Sequence, residues 1–183
     1  MAKIVANVYG DALFSIGKEK HTLDALYEEV LMVKTAFDET PQLMGVLMHP
    51  DVESAEKQAL LARTFQGRVS IDMFGFLSIV LKKSRQEHLD AIFDHFIAAY
   101  KEEKKIGVVS VTTPFELSAL KKIEIEKKLL QTTGYKTLET HYEVDESLIG
   151  GMVIRIKDRV VDSSIKTRLK ELEKSLRGLQ IGE

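Results

Sequence analysis

Apolar residues recur at helical intervals through the first hundred positions, and then the rhythm changes. Ile4, Val5, Val8, Ala12, Leu13 and Ile16 form a stripe that predicts a first helix, ended by Gly17 and Lys18-Glu19-Lys20. A second helix carries Leu23, Leu26, Tyr27, Val30, Val33 and Phe37 on one face. Thr40-Pro41 breaks it, because proline disfavours a helical residue before it and starts a new turn well. A short third segment runs from Gln42 to Met48 and stops at His49-Pro50. Asp51 or Ser54 caps a fourth helix with Ala55, Ala59, Leu60, Ala62 and Phe65, and Gly67 follows at a C-cap position. The fifth, from about Ile71 to Lys83, is apolar on most sides, as expected of a helix that is central or covered by a partner. The sixth has Leu89, Ile92, Phe93, Phe96, Ile97 and Tyr100. Six helices with short links predict a bundle.

The charged run Lys101-Glu102-Glu103-Lys104-Lys105 separates this part from Ile106–Thr113, a strand by its β-branched content. Ser118 is a candidate cap for a helix through Leu120, Ile123, Leu129 and Leu130. Residues 135–144 alternate, with Leu138, Thr140, Tyr142 and Val144 on one side. Gly150-Gly151 opens a hairpin: Met152–Ile156 as one strand, Lys157-Asp158-Arg159 as the break, Val160-Val161 as the return. Asp162-Ser163-Ser164 are three N-cap candidates before a helix striped by Ile165, Leu169, Leu172 and Leu176. The expected fold is α+β, mainly α: a six-helix bundle over 1–105, then a small α/β domain over 106–183 with a mixed sheet and two helices.

Composition narrows the function. The 183 residues are 44% hydrophobic and 30% charged, enough for a core under a well-solvated surface. A net charge of -2 gives no basic field for nucleic acid, and the absence of cysteine excludes disulfides, thiolate nucleophiles and cysteine zinc sites. No apolar run approaches the ~20 residues that span a bilayer, and the first residues lack signal- or transit-peptide character, so a soluble cytosolic chain is expected.

Candidate chemistry is thin. Gly10 to Lys18 has six residues between its glycines, and Glu19 follows Lys18, so it is not a phosphate-binding loop. His88 and His95 return to one face of the sixth helix but about 10 Å apart by helical rise, too far to share a metal comfortably. Ser163-Ser164 beside Asp162 suits capping better than a nucleophile elbow. Asp145 and Glu146 read as turn residues rather than as an acid–base pair. Basic residues at 121–128 and 155–170 alternate with Glu124, Glu126, Asp158, Asp162 and Glu171, a mixed face that is solvated or docks a charged helix. No cofactor, metal or catalytic residue is expected.

Gly150, Gly151, Val161, Asp162, Ser163, Arg168 and Leu169 resemble the C-terminal signature of the F-type ATP synthase delta subunit family, the bacterial counterpart of the mitochondrial oligomycin-sensitivity-conferring protein. Residues 8–14, His49-Pro50 with Lys57, and residues 74–81 with Arg85 resemble further family segments, so the likeness covers nearly the whole chain. Gly10 and Gly75 stand where the family usually has Ala and Asn. The resemblance implies a non-catalytic stator component at the cytoplasmic face of the cell membrane. It implies that the first domain binds N-terminal segments of the alpha subunits of the catalytic head, and the second the b subunits of the peripheral stalk. A groove for a partner's amphipathic helix is then expected between the first and fifth helices, lined by Val5, Val8 and Ala12 with Phe76, Ile79 and Val80. The alternative is an RNA- or ribosome-associated α+β protein using its C-terminal basic residues, although the strands offer no aromatic platform beyond Tyr135 and Tyr142.

Overall fold

The computed structural model describes residues 2–179, with side chains for 3–170, Leu172 and Lys174. The chain divides into two compact units, Met1–Lys101 and Glu102–Glu183, so the boundary falls just ahead of residue 105. The first unit holds α1 (Ala2–Glu19), α2 (Leu23–Glu39), α3 (Pro41–Met48), α4 (Ser54–Phe65), α5 (Ile71–Lys82) and most of α6 (Leu89–Lys104). The second holds β1 (Ile106–Thr113), α7 (Ala119–Thr132), β2 (Thr137–Val144), β3 (Val153–Ile156), β4 (Arg159–Asp162) and α8 (Ile165–Leu179). The architecture is mainly helical with a four-stranded mixed sheet.

In the first unit α2 and α6 supply the core as their stripes predict. Leu26, Val30, Val33, Ile92, Phe93 and Phe96 are nearly or fully buried. Tyr27 stacks on Tyr100 at 3.9 Å between ring centres, and the Tyr100 hydroxyl donates to Asp24 at 2.8 Å. Burial first, and then Asp24, push the Tyr100 pKa up to about 12. Ser70 caps α5, accepting from the Met73 amide, while both Ser70 N–H and O–H donate to the Glu29 carboxylate at 2.8 Å.

Two expectations need correction here. α4 follows Glu53, which makes no side-chain cap, so neither Asp51 nor Ser54 serves as its N-cap. Its core residues are Leu61 and Phe65, which share a face at i, i+4; Leu60 is rotated to the flank. On α1, of the expected stripe only Leu13 is buried. Its neighbours on the inner face are Ala6, Gly10 and Gly17, while Ile4 and Val8 remain 68% and 61% exposed. Small residues point inward because the neighbouring helices come close: a Cβ at Gly10 would meet the His95 ring at 2.6 Å, and one at Gly17 would sit 3.0 Å from Leu23 and Leu26.

The second unit orders its sheet β2-β1-β3-β4, with β1 parallel to β2 and antiparallel to β3. The register places Val109 between Thr140 and Ile156, and Val111 between Tyr142 and Ile154, on one face. α7 covers part of this face: the Tyr142 hydroxyl donates to the Lys122 carbonyl and to Glu126, both at 3.2 Å, and Val109 and Val111 are fully buried. The opposite face carries Glu139, His141, Glu143 and Arg155, polar side chains suited to water. The hairpin break is shorter than expected. It is Lys157-Asp158 alone, with Lys157 at φ 50°, and Arg159 already belongs to β4. Leu176, the fourth position of the expected α8 stripe, lies outside the described side chains.

Glycines that look alike in sequence differ sharply in what they permit. Gly151 has φ +81°, and a Cβ there would strike the Ser163 carbonyl oxygen and lie 2.8 Å from Ser164 Cα, both backbone atoms. Gly75, inside α5, faces open space within 4 Å. We expect Gly151→Ala to destabilise the second unit by about 2 kcal/mol or more. Gly75→Ala should stabilise the chain by about 0.5–1 kcal/mol through helix propensity. Denaturant melts followed by circular dichroism distinguish the two signs.

Candidate partner-binding surfaces

The end of α1 meets the start of α5. Lys20, just past α1, pairs with Asp72 in the first turn of α5 at 2.6 Å, and α1 also touches the 3-10 turn Gln86–His88 that follows α5. Their outward faces are apolar. On α1, Ile4, Val8 and Ala12 line up at four-residue steps in water, flanked by half-exposed Val5. On α5, Ile79 is 55% exposed, next to half-exposed Gly75 and Ser78. Ile79 and Ser78 line, with Ser54, Ala55, Gln58 and Lys82, a shallow cleft of about 410 Å³ between α5 and α4, where Gln58 donates to the Ser78 carbonyl.

Four of the six expected lining residues, Val5, Val8, Ala12 and Ile79, therefore reach the surface. Phe76 and Val80 do not. They are 6% and 0% exposed, packed inward with Met73 and Leu77, and are corrected to core residues. A helix apolar all round gives no phase, so its sequence cannot say which side faces out. Ile4 and Ile71 are exposed as well, at positions the hydrophobic pattern does not mark as surface. Ile71 is 91% exposed, at the first position of α5 directly after the Ser70 cap.

The polar candidates are absorbed by local structure. His95 pairs with Asp11 at 2.7 Å and His88 lies 3.2 Å from Glu87, so the two do not converge. Gly10 and Lys18 lie inside α1. Asp145 accepts from the Ser147 amide at 2.9 Å, in a turn. The three cap candidates before α8 are all used. Ser163 donates to the Met152 carbonyl, Ser164 Oγ accepts from the Thr167 amide, and Asp162 accepts from the Ser164 amide and the Thr167 hydroxyl. Among the described residues no acidic or histidine cluster could hold a metal ion, and no helix is long and apolar enough to cross a membrane.

The second unit is uncovered too. Leu120 and Ile123 on α7, and Ile165, Leu169 and Leu172 on α8, are all largely exposed. The described residues define a protein built to bind other proteins: two units, each keeping apolar side chains in water. The chain belongs to the ATP synthase delta (OSCP) subunit family, whose model matches residues 5–176. It is 46% identical over 182 residues to ATP synthase subunit delta of Lachnoclostridium phytofermentans, covering 100% of both chains. It is 34% identical over 178 residues to that of Desulforudis audaxviator, covering 97% of both. A chain of the Toxoplasma gondii mitochondrial ATP synthase hexamer, solved by cryo-EM, shares the fold with a TM-score of 0.72 at 22% identity, covering 93% of this chain and 96% of that one. The protein is accordingly a non-catalytic, stator component of ATP synthase, and the RNA-binding alternative has no support.

The Asp162 cap titrates. Hydrogen bonds from Thr167 and Ser164 hold its carboxyl below the usual Asp value. A lowered folded pKa means the cap is intact above the ordinary Asp value, near pH 4, and is lost as pH falls through the lowered one. The Ser164 amide proton resonance should titrate with a midpoint below that of a free Asp. In Asp162→Asn, which keeps an acceptor but no charge, it should stay flat.

Proposed function

We propose that this subunit joins two partners of the ATP synthase. Residues 1–105, as a six-helix bundle, take an N-terminal segment of the alpha subunits, and residues 106–183 take the distal ends of the b subunits. It would sit at the cytoplasmic face of the membrane, held there through the complex. Its task is mechanical. The rotor drags the catalytic head as protons pass, and a stator that yielded would let rotation dissipate without ATP synthesis.

The observation that carries this reading is the exposed stripe of Ile4, Val8 and Ala12 on α1, together with exposed Ile79 on α5. An amphipathic helix laid along α1 and α5 would remove these side chains from water, each fully covered Val or Ile contributing about 1.5–3 kcal/mol. Ala12 and Gly75 are small enough to admit a close-packed helix. Two units engaging two partners gain effective concentration, so each contact need be only moderate.

Ala12→Glu in the full chain tests the groove. Ala12 is exposed, so the fold should be kept. Calorimetric affinity for an alpha N-terminal segment should fall about tenfold or more, equivalent to about 1.4 kcal/mol. An affinity equal to that of the unaltered chain would remove α1 from the interface.

A further inference from the structure

In the second unit one helix roofs a sheet that is too wide for it. An α-helix with its side chains is about 10 Å across. Four strands spaced about 4.8 Å apart span about 15 Å between their outer axes. α7 is fastened over the β2 edge by Tyr142, and among the described residues the β3–β4 half of the same face is left open. The result is a groove of about 1150 Å³, floored by Met152, Ile154, Ile156 and Val161 and walled by Ile125 and Leu129 of α7.

The rim says what would fit. Lys121 pairs with Glu124 at 2.8 Å, and Lys157 pairs with Glu102. Those pairs hold the Glu124 carboxyl below and the Lys157 ammonium above their usual values, through the Lys121 and Glu102 hydrogen bonds respectively. Lys105, Lys128 and Arg159, also on the rim, form no salt bridge among the described residues, and Asp158 is the one further acid there. The groove is apolar inside with surplus positive charge at its edge.

We infer that this groove binds an amphipathic helix whose apolar stripe is flanked by carboxylates. α8 is the obvious competitor, from this chain or a second copy, since it carries exposed Ile165, Leu169 and Leu172. Its sequence excludes it: Lys166, Arg168, Lys170, Lys174 and Arg177 outnumber Glu171 and Glu173, so it meets the rim with like charge. The inference deepens the stalk-binding reading above and rests on it only for the identity of the partner.

The chain has no tryptophan, so a fluorescein-labelled or tryptophan-bearing peptide reports binding cleanly. Three probes are titrated into the full chain: a Leu-striped peptide of about 20 residues, long enough to hold a helix, with Glu flanks; the same peptide with Lys flanks; and a distal segment of the b subunit. The Glu-flanked peptide should bind about tenfold more tightly than the Lys-flanked one. The order should reverse in the variant Lys105→Glu/Lys128→Glu/Arg159→Glu, whose substituted positions are all exposed. Equal affinity for both peptides, or Glu-peptide affinity unmoved by the variant, overturns the inference. The b segment separates the two readings. If it binds the chain and the variant alike, the groove falls and the stalk reading stands. If it does not bind while the Glu peptide behaves as expected, the groove stands and the stalk reading falls.

Discussion

An element can turn only one side toward its own core, and this chain has elements with apolar residues on two. α1 shows the consequence most clearly. Its close approach to α2 and α6 selects Gly10 and Gly17 on the inner face, where a Cβ would crowd His95, Leu23 and Leu26. Ile4 and Val8 are then left outward by the helical period alone. α5 repeats the pattern, with Met73, Phe76, Leu77 and Val80 inward and Ile71 and Ile79 outward. In the second unit the shortage is of cover rather than of space, since one roofing helix meets four strands. Apolar area left in water is association energy held in reserve, at roughly 25 cal/mol for each Å² later covered.

Such a surface is useful to a stator only if it keeps its shape. In the first unit the frame is set by polar contacts that cross between helices. Glu29 on α2 receives both hydrogens of Ser70 at the start of α5, which fixes where α5 begins. Lys34 on α2 reaches Asp94 on α6, and two residues further along α6 the Phe96 ring meets Phe14 edge-on. Tyr27 and Tyr100 stack where Asp24 accepts a hydrogen bond from the Tyr100 hydroxyl. The one ion pair among these contacts, Lys34–Asp94, contributes little net stability. Their geometry nonetheless restricts sliding of α2 past α5 and α6, and sliding is the deformation that a load along the helices would cause.

The elements legible in the sequence were those whose signal was local. The β-branched run of β1 gives both of its ends, 106 and 113, and the stripes of α2 and α6 give their buried faces. Reading failed where the signal was ambiguous in phase. Glycine and alanine carry little hydrophobic signal, so the true inner face of α1 was invisible beside Ile4 and Val8. α5 has too many apolar residues to define a face, which placed Phe76 and Val80 on the surface in error. In α4 the adjacent Leu60 and Leu61 point about 100° apart, and only the position of α2, whose Phe37 meets Phe65 edge-on, decides between them. The groove of the second unit was out of reach for a different reason. It exists because β3 pairs with β1 rather than with β2, and a strand order is a property of the folded sheet.

The charge on α8 and on the groove rim connects these observations. A chain with an uncovered apolar helix and an uncovered apolar groove should close on itself or on its copies, because both would lose exposed area. Like charge on the two surfaces opposes that closure at short range, where desolvation makes charge pairs strongest. It does not oppose a carboxylate-flanked helix, for which both surfaces are attractive. Hydrophobic area supplies the affinity of such a contact, and the sign of its edge decides which helix may use it. On this argument the lysines and arginine that look like an ordinary solvated face in sequence have a selective role. They keep the second unit unfilled until a partner of opposite sign arrives.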